Sequence, residues 1–509
     1  MLSRKLLYIV LFLVSFSNVH GQLNNIWVIG YNSSGIPNPI NSIYSIDFRN
    51  GTIDYDTALA AAFSFRGCDA SICDSAGNLL FYTNGLAVMN AQNDTMVNGD
   101  SLNYSDEAYS SGGSLTGMSY PQTILILPSP GQPDMYYLIH QAYYLHPVLW
   151  TNEYCDTLFY SIVDMSQDSG KGAVVTKNQV LWSGDLLTNN LITIGGLSAC
   201  KHANGRDWWL VTHKDSSNVF MKFLLTPTGF AGPFLQTIYP FVNFSMVQAC
   251  FSPDGTKFAF NNKSGVHLFN FDRCTGNFSA HENLGQFTLP TYGATGTVFS
   301  PNSRVLYASG GFEIYQWDLN AANVQSTRTT VCVYDSTYTC PTYGVFFYLM
   351  QRAINGKIYV SSPNSSSCFS VINNPDVVGL GCNAIAHGLS DLPYYNGSSV
   401  PYFPDFYLGA VPGSNCDSLT ALTNAASQPQ IFDIYPNPAQ NILRIAYTGN
   451  SDIANCYLQL VDITGKVILK RALTSNELEL NVSEIENGIY FVILNESRYT
   501  FAGKVLIQH

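Results

Sequence analysis

The sequence predicts an all-β protein of two domains, and three observations carry that prediction. Its 509 residues are 46% hydrophobic and only 11% charged, with 32 Tyr, 30 Phe and 40 Gly. A polar turn between two short apolar runs recurs at intervals of about 50 residues, the period of propeller blades. A Ser-, Thr-, Ala- and Asn-rich stretch, Ala410–Gln430, then separates this array from a last segment with its own strand pattern. The expected architecture is a seven-bladed β-propeller, with six or eight blades as alternatives, followed by a small C-terminal β-sandwich.

The repeat is read from its turns. Asp74-Ser75-Ala76-Gly77-Asn78 precedes Leu79–Tyr82, and Pro128–Gly131 precedes Met135–Leu138. His202–Asp207 leads into Trp208–Val211, and Ser252–Lys257 into Phe258–Phe260. Ser300–Arg304 leads into Val305–Tyr307, and Asn355-Gly356-Lys357 into Ile358–Val360. The turn residues 77, 131, 205, 255, 303 and 356 are 54, 74, 50, 48 and 53 apart. One small sheet cannot bury both faces, but neighbours stacked around an axis can. The interval of 74 implies an insertion around Gln141–Thr157. Lone strands at Ile26–Gly30, Tyr44–Phe48 and Phe403–Leu408 are expected to close the ring from both ends, which removes an exposed edge. A pair of β-sandwiches is the competing architecture, and a turn at a fixed period argues against it.

The first 21 residues read as a secretory signal peptide. Arg4 and Lys5 are the positive start, Leu6–Phe16 the apolar core, and Val19-His20-Gly21 the approach to a cut before Gln22. The core is too short to span a bilayer, and no later apolar run is long enough for a transmembrane helix. The net charge of −12 argues against a nucleic-acid partner, which would need clustered Lys and Arg. The 12 cysteines of an exported chain are free to pair. Proximity in sequence suggests Cys68 with Cys73, Cys332 with Cys340, and Cys368 with Cys382. No C-x-x-C pair exists and no histidine lies near these pairs in sequence, so no metal is expected, and no cofactor.

The last segment, residues 431–509, carries the clearest motifs. Tyr435-Pro436-Asn437-Pro438 follows a first strand, and its prolines stop a ladder. Strands are expected at Ile442–Tyr447, Tyr457–Val461, Val467–Leu469, Leu478–Val482, Ile489–Leu494 and Lys504–Ile507. Asp462 opens the turn that holds Gly465 and Lys466. Together with Gly488-Ile489-Tyr490 and the terminal Lys504-Val505, these motifs resemble the type A C-terminal sorting domain of the type IX secretion system of Bacteroidota. That resemblance implies export through the periplasm to the cell surface or medium. The implied partners are the type IX secretion machinery and its sortase. The chain is thus expected to divide into a 1–21 signal, a 22–409 propeller, a 410–430 flexible linker and a 431–509 sorting domain, with any release cut in or just after the linker.

The propeller region carries a second resemblance. Gly67–Ile72, Gly77–Gly85 and Met96–Gly99 look like the first blade of exported Bacteroidota propeller proteins, and Leu389–Leu408 like their closing segment. Phe251–Lys257 is similar to the WD40-like repeat of TolB propellers. This implies a fold and no reaction. The short triplets Asp56-Thr57-Ala58, Asp74-Ser75-Ala76, Asp94-Thr95-Met96, Asp100-Ser101-Leu102, Asp156-Thr157-Leu158 and Asp417-Ser418-Leu419 resemble the Bacteroidota O-glycosylation signal.

Catalytic motifs are scarce. There is no G-x-S-x-G elbow, H-E-x-x-H pair or Walker loop. The most polar concentration is Lys201, His202, Arg206 and Asp207, with His213 downstream. It reads either as a cationic channel mouth for an anionic ligand or as a blade turn with solvated charges. Tyr136, Tyr137, His140, Tyr143, Tyr144 and His146 read either as a sugar-stacking surface or as packing between blades. The expected function is an exported, non-enzymatic binding or adhesion scaffold for a protein or glycan. The alternative is a propeller hydrolase or lyase acting on polysaccharide or peptide, which needs acids converging at the channel.

Overall fold

The computed structural model describes residues 23–31, 42–49, 52–59, 63–103, 117–145, 153–238, 248–262, 264–286, 296–338, 340, 344–416, 432–447, 457–462, 467–495 and 500–509. It divides into two compact units, Met1–Ser418 and Leu419–His509. The expected signal peptide lies outside the described residues.

The first unit is a propeller. Its described residues form seven antiparallel sheets, each taken up in chain order from the axis outward or the reverse. Sheet one is Ile26–Gly30, Ile43–Asp47 and Asp54–Asp56; sheet two is Ala70–Cys73, Leu79–Thr83 and Val88–Asn90. Sheets three to seven have four strands and open on Ile124–Pro128, Ser198–Lys201, Gln248–Phe251, Thr297–Phe299 and Met350–Arg352. Inner strands are buried throughout, as at Ala70–Cys73 and Thr297–Phe299. Outer strands face solvent, as at Gly229–Thr237. Inner strands of successive sheets lie side by side: sheet one beside two, two beside three, and four through seven in sequence. Large aromatics fill the spaces between sheets, with Trp27, Trp208 and Trp317 wholly buried.

The repeated turn joins first to second strand in sheets two to seven. All six turn residues sit in the left-handed region: Gly77 at φ 86°, Gly131 at 88°, Gly205 at 72°, Gly255 at 70°, Ser303 at 62° and Gly356 at 79°. A polar side chain closes most of these turns on its own backbone. Asp74 accepts from the amides of Ala76 and Asn78, Asp254 from that of Thr256, and Asn302 from that of Arg304. The insertion is an extension of strands. Sheet three runs Met135–Leu145, Glu153–Asp164 and Ala173–Ser183, longer than its neighbours.

Closure departs from expectation. Phe403–Leu408 is not a strand, and sheet one is made from the N-terminal strands alone. Pro404 cannot donate to a ladder, and the aromatics around it turn inward. Phe403 packs against Trp27, and Phe406 against Trp208. The Tyr407 hydroxyl donates to Asn24 Oδ1 at 2.9 Å and accepts from the Leu23 amide at 3.0 Å. Start and end of the domain are thus tied by side chains crossing its interior.

Two glutamines lace the inner strands together. Gln122 donates to Ala249 O at 2.9 Å and accepts from Ala249 N at 2.8 Å, joining sheet three to sheet five. Gln248 donates to Met350 O at 2.7 Å and accepts from the amides of Met350 at 2.9 Å and Thr297 at 3.1 Å. One side chain therefore joins sheets five, six and seven. Replacing Gln248 by Ala orphans three buried backbone groups. At about 1 kcal/mol or more each, the expected loss is about 3 kcal/mol, measurable as a lower denaturant midpoint.

The described cysteines pair differently from the sequence expectation. The disulfides are Cys274–Cys416 and Cys340–Cys368. Cys68, Cys73, Cys332 and Cys382 are free. Cys68 and Cys73 lie at the two ends of an extended run, where about 3.3 Å per residue holds them too far apart. Cys340 is matched by a residue of another sheet segment, 28 positions on.

The second unit is a two-sheet sandwich. Phe432–Tyr435, Ile442–Tyr447 and Glu477–Asn481 form one sheet; Val467–Ala472, Tyr457–Asp462, Gly488–Asn495 and Thr500–Ile507 form the other. Its own core holds Leu443, Leu458, Leu460, Leu480, Val492 and Ile507.

Candidate functional site

The turn from Lys201 to Asp207 belongs to sheet four. Its four singled-out residues do come together, and they engage one another and the chain's own exit. Arg206 Nε donates to Asp207 Oδ1 at 2.7 Å, and Asn204 Nδ2 to Asp207 Oδ2 at 2.8 Å. Lys201 Nζ donates to Arg206 O at 3.1 Å and stands 3.9 Å over the Trp208 ring. Burial lowers its pKa to about 8. His202 faces Cys274 O at 3.1 Å. His213 is apart from this group, buried in sheet four against Phe220.

Arg273, from the outer turn of sheet five, completes the arrangement. It donates to Lys201 O at 2.8 Å, His202 O at 3.2 Å and Gly409 O at 2.6 Å. Val411 N donates to Ala203 O at 2.8 Å, and Asn204 bridges Ala410. The Cys274–Cys416 disulfide follows. Residues 410–416, the first part of the expected 410–430 linker, are therefore fastened to the propeller, and its remainder lies outside the described residues. No sequence signal marked Arg273, which lies 72 residues from the turn it holds.

The same exit segment lies against the first strands of sheets four to seven. Tyr402, Phe403, Pro404 and Asp405 line a cavity of about 20 Å³ with Gln248, Thr297 and Arg352, room for about one water. Arg352 pairs with Asp405 at 3.3 Å. Asp69, at the mouth of sheet two's inner strand, is buried, and that burial raises its carboxyl well above the ordinary range.

The tyrosine and histidine cluster is packing. Tyr136, Tyr137 and Tyr143 are buried, and Tyr144 lies beside Tyr154; His146 lies outside the described residues. His140 is wholly buried. Its Nδ1 must donate to the Asn103 carbonyl oxygen, which leaves Nε2 to accept from Ser161 Oγ at 2.9 Å. Burial lowers His140 and His267 to about 3 and His213 to about 4. A lowered imidazole is neutral in the fold, while the unfolded chain takes up a proton below about 6.5. Stability is therefore complete above that pH and falls as the pH drops from about 6.5 toward 4. Thermal unfolding across pH 4 to 7 checks this, and a flat profile contradicts it.

In the second unit, the motifs dispersed in sequence meet at one corner. Asn437 Oδ1 accepts from Leu506 N at 2.9 Å, and Ala439 N donates to Leu506 O at 2.8 Å. The Pro436–Pro438 turn is thereby clipped to the terminal strand. That strand pairs Gly488 with Ile507, Ile489 with Leu506 and Tyr490 with Val505, while Asp462 pairs with Tyr490. The Tyr490 hydroxyl donates to Glu486 O at 2.9 Å, and Tyr435 to Glu477 Oε1 at 2.7 Å. Lys504 shares the strand with Val505. Gly465 and Lys466 lie outside the described residues.

The family described as the Secretion system C-terminal sorting domain matches residues 433–508. No curated protein matches the chain. Solved structures with similarity include a provisionally assigned 6-phosphogluconolactonase from Bacteroides fragilis, 15% identical, covering 76% of this chain and 99% of that one, with a TM-score of 0.44. PorZ, a surface component of the type IX secretion system of Porphyromonas gingivalis, is 11% identical, covering 96% and 76%, with a TM-score of 0.27. The β-propeller domain of Swd1 from Myceliophteria thermophila is 10% identical, covering 66% and 92%, with a TM-score of 0.33. At those scores none of them bears on activity. The sorting domain is that of the type IX system, so the protein is exported to the cell surface or medium. Among the described residues no helix is long and apolar enough to cross a membrane.

Proposed function

We propose that the exported propeller, its seven sheets acting as seven blades, is a non-enzymatic scaffold that binds a protein partner through the outer face of sheets six and seven. The packing of the closing segment carries this reading. Tyr402 to Asp405 lie against the first strands of sheets four to seven, and the cavity left between them has space for about one water. The outer face has the opposite character. Val333 ends the outer strand of sheet six and Ile385 lies on that of sheet seven, which runs beside it. Val333 is 61% exposed, Leu380 74% and Ile385 44%. Exposed apolar residues grouped on neighbouring strands mark interaction surfaces. A signal peptide at residues 1–21, a linker ahead of the sorting domain and the sortase as partner belong to the same proposal. Of the glycosylation triplets, Thr57, Ser75 and Thr95 are exposed.

The test is surface capture of partner proteins by the mature chain, compared with Leu380→Asp and Ile385→Asp. Both residues are exposed, so folding is expected to survive. Binding is expected to fall at least tenfold, and capture unchanged by both substitutions overturns the proposed face. The second reading, a hydrolase, rests on Asp69, an acid beside the closing segment whose burial raises its carboxyl well above the ordinary range. Turnover of a polysaccharide or peptide that is lost in Asp69→Asn would establish it.

A further inference from the structure

Sheet seven holds a three-residue cluster that the proposed binding face does not use. Cys340 and Cys368 are joined as a disulfide, and His387 Nδ1 lies 4.0 Å from Cys340 Sγ. The three donor atoms all lie within 4.8 Å of one another. Both cysteines are 3% exposed. In a tetrahedral zinc site, sulfur and nitrogen ligands stand about 3.5 Å apart, given zinc–ligand bonds of about 2.0 to 2.3 Å. The imidazole is therefore already near ligand position, and only the two sulfurs must separate.

The backbone has been bent to bring this histidine in. Phe369 pairs with Leu389 and Val371 with Ile385, so residues 386–388 bulge opposite Ser370 alone. Bulges re-aim side chains. His387 sits at φ +57°, a region that non-glycine residues rarely occupy, and its amide donates to Ser370 Oγ at 3.3 Å. Its ring lies 4.4 Å from that of Tyr338, and its Nε2 is buried with no partner among the described residues. A disulfide by itself needs no such neighbour.

We propose that Cys340, Cys368 and His387 form a two-state site: a disulfide when oxidised and, when reduced, a three-ligand zinc site with a fourth position open to water. Opening the disulfide takes two electrons and two protons from a dithiol reductant, which becomes a disulfide in exchange. Zinc binding then releases both thiol protons.

The experiment uses the mature full-length protein, as isolated and after anaerobic reduction, titrated with zinc and with cobalt(II) as a spectroscopic probe. The oxidised protein is expected to take up no metal at this site. The reduced protein is expected to keep its fold and bind one equivalent, with a thiolate-to-cobalt charge-transfer band. His387→Asn, which tolerates the left-handed backbone, is expected to weaken zinc binding at least tenfold while leaving the melting temperature of the oxidised protein unchanged. The double replacement Cys340→Ser with Cys368→Ser is expected to abolish binding. The proposal is overturned if the reduced protein binds no metal, or binds zinc equally well in either variant.

Discussion

Deleting Ile431–His509 is expected to leave a folded propeller that no longer reaches the cell surface. The second unit has its own core, built from Leu443, Leu458, Leu460, Val492 and Ile507. None of these residues belongs to the propeller cores. The cores of the first unit therefore keep all their members, and its unfolding midpoint is expected to stay where it is. What it loses is the corner where Pro436–Pro438, Gly488–Tyr490 and Val505 meet. Fractionation and protease shaving of intact cells check the outcome. Truncated protein is expected in the periplasm, shielded from added protease. Truncated protein on the surface would remove the sorting role from this domain.

The second large effect is expected at Cys416. Its disulfide with Cys274 closes a loop with a sequence separation of 142 residues. On the chain-entropy account, losing such a crosslink costs about 5 kcal/mol. The link also fixes the segment whose upstream residues pack against the first strands of sheets four to seven, because Gly409 and Val411 are held on Arg273 and Ala203. Cys416→Ser should therefore lower the denaturant midpoint of the oxidised protein and raise proteolysis between residues 400 and 416. Under reducing conditions variant and wild type should coincide. An unchanged midpoint in the oxidised variant would show that the hydrogen bonds of the exit segment suffice.

The turns were legible in the sequence because each has a local cause. A left-handed residue at a fixed place in a hairpin demands Gly or a small polar residue, and residues 77, 131, 205, 255, 303 and 356 all meet that demand. The strands of the sorting domain were legible for the same reason, since alternation and paired prolines act within a few residues. The closing segment is not legible locally, because Phe403–Leu408 has the composition of a strand while the deciding contacts are distant: Trp27, Trp208 and Asn24 meet its aromatics. Pro404 is the one local sign against a strand. The disulfides are not legible from spacing, because the fold brings Cys274 to Cys416 across the sequence. The lacing by Gln122 and Gln248 leaves no pattern either, because each amide answers a backbone group of another sheet. His387 escaped notice because only a bulge opposite Ser370 turns it toward Cys340.

Residues 433–508 carry the propeller out of the cell, and the intact mass of protein recovered from the cell surface and medium is the first measurement to make. An N-terminus near Gln22 and a C-terminus after Cys416 and before the sorting domain are expected, with the propeller and both disulfides retained. A full-length C-terminus on protein that stays in the periplasm would contradict that export.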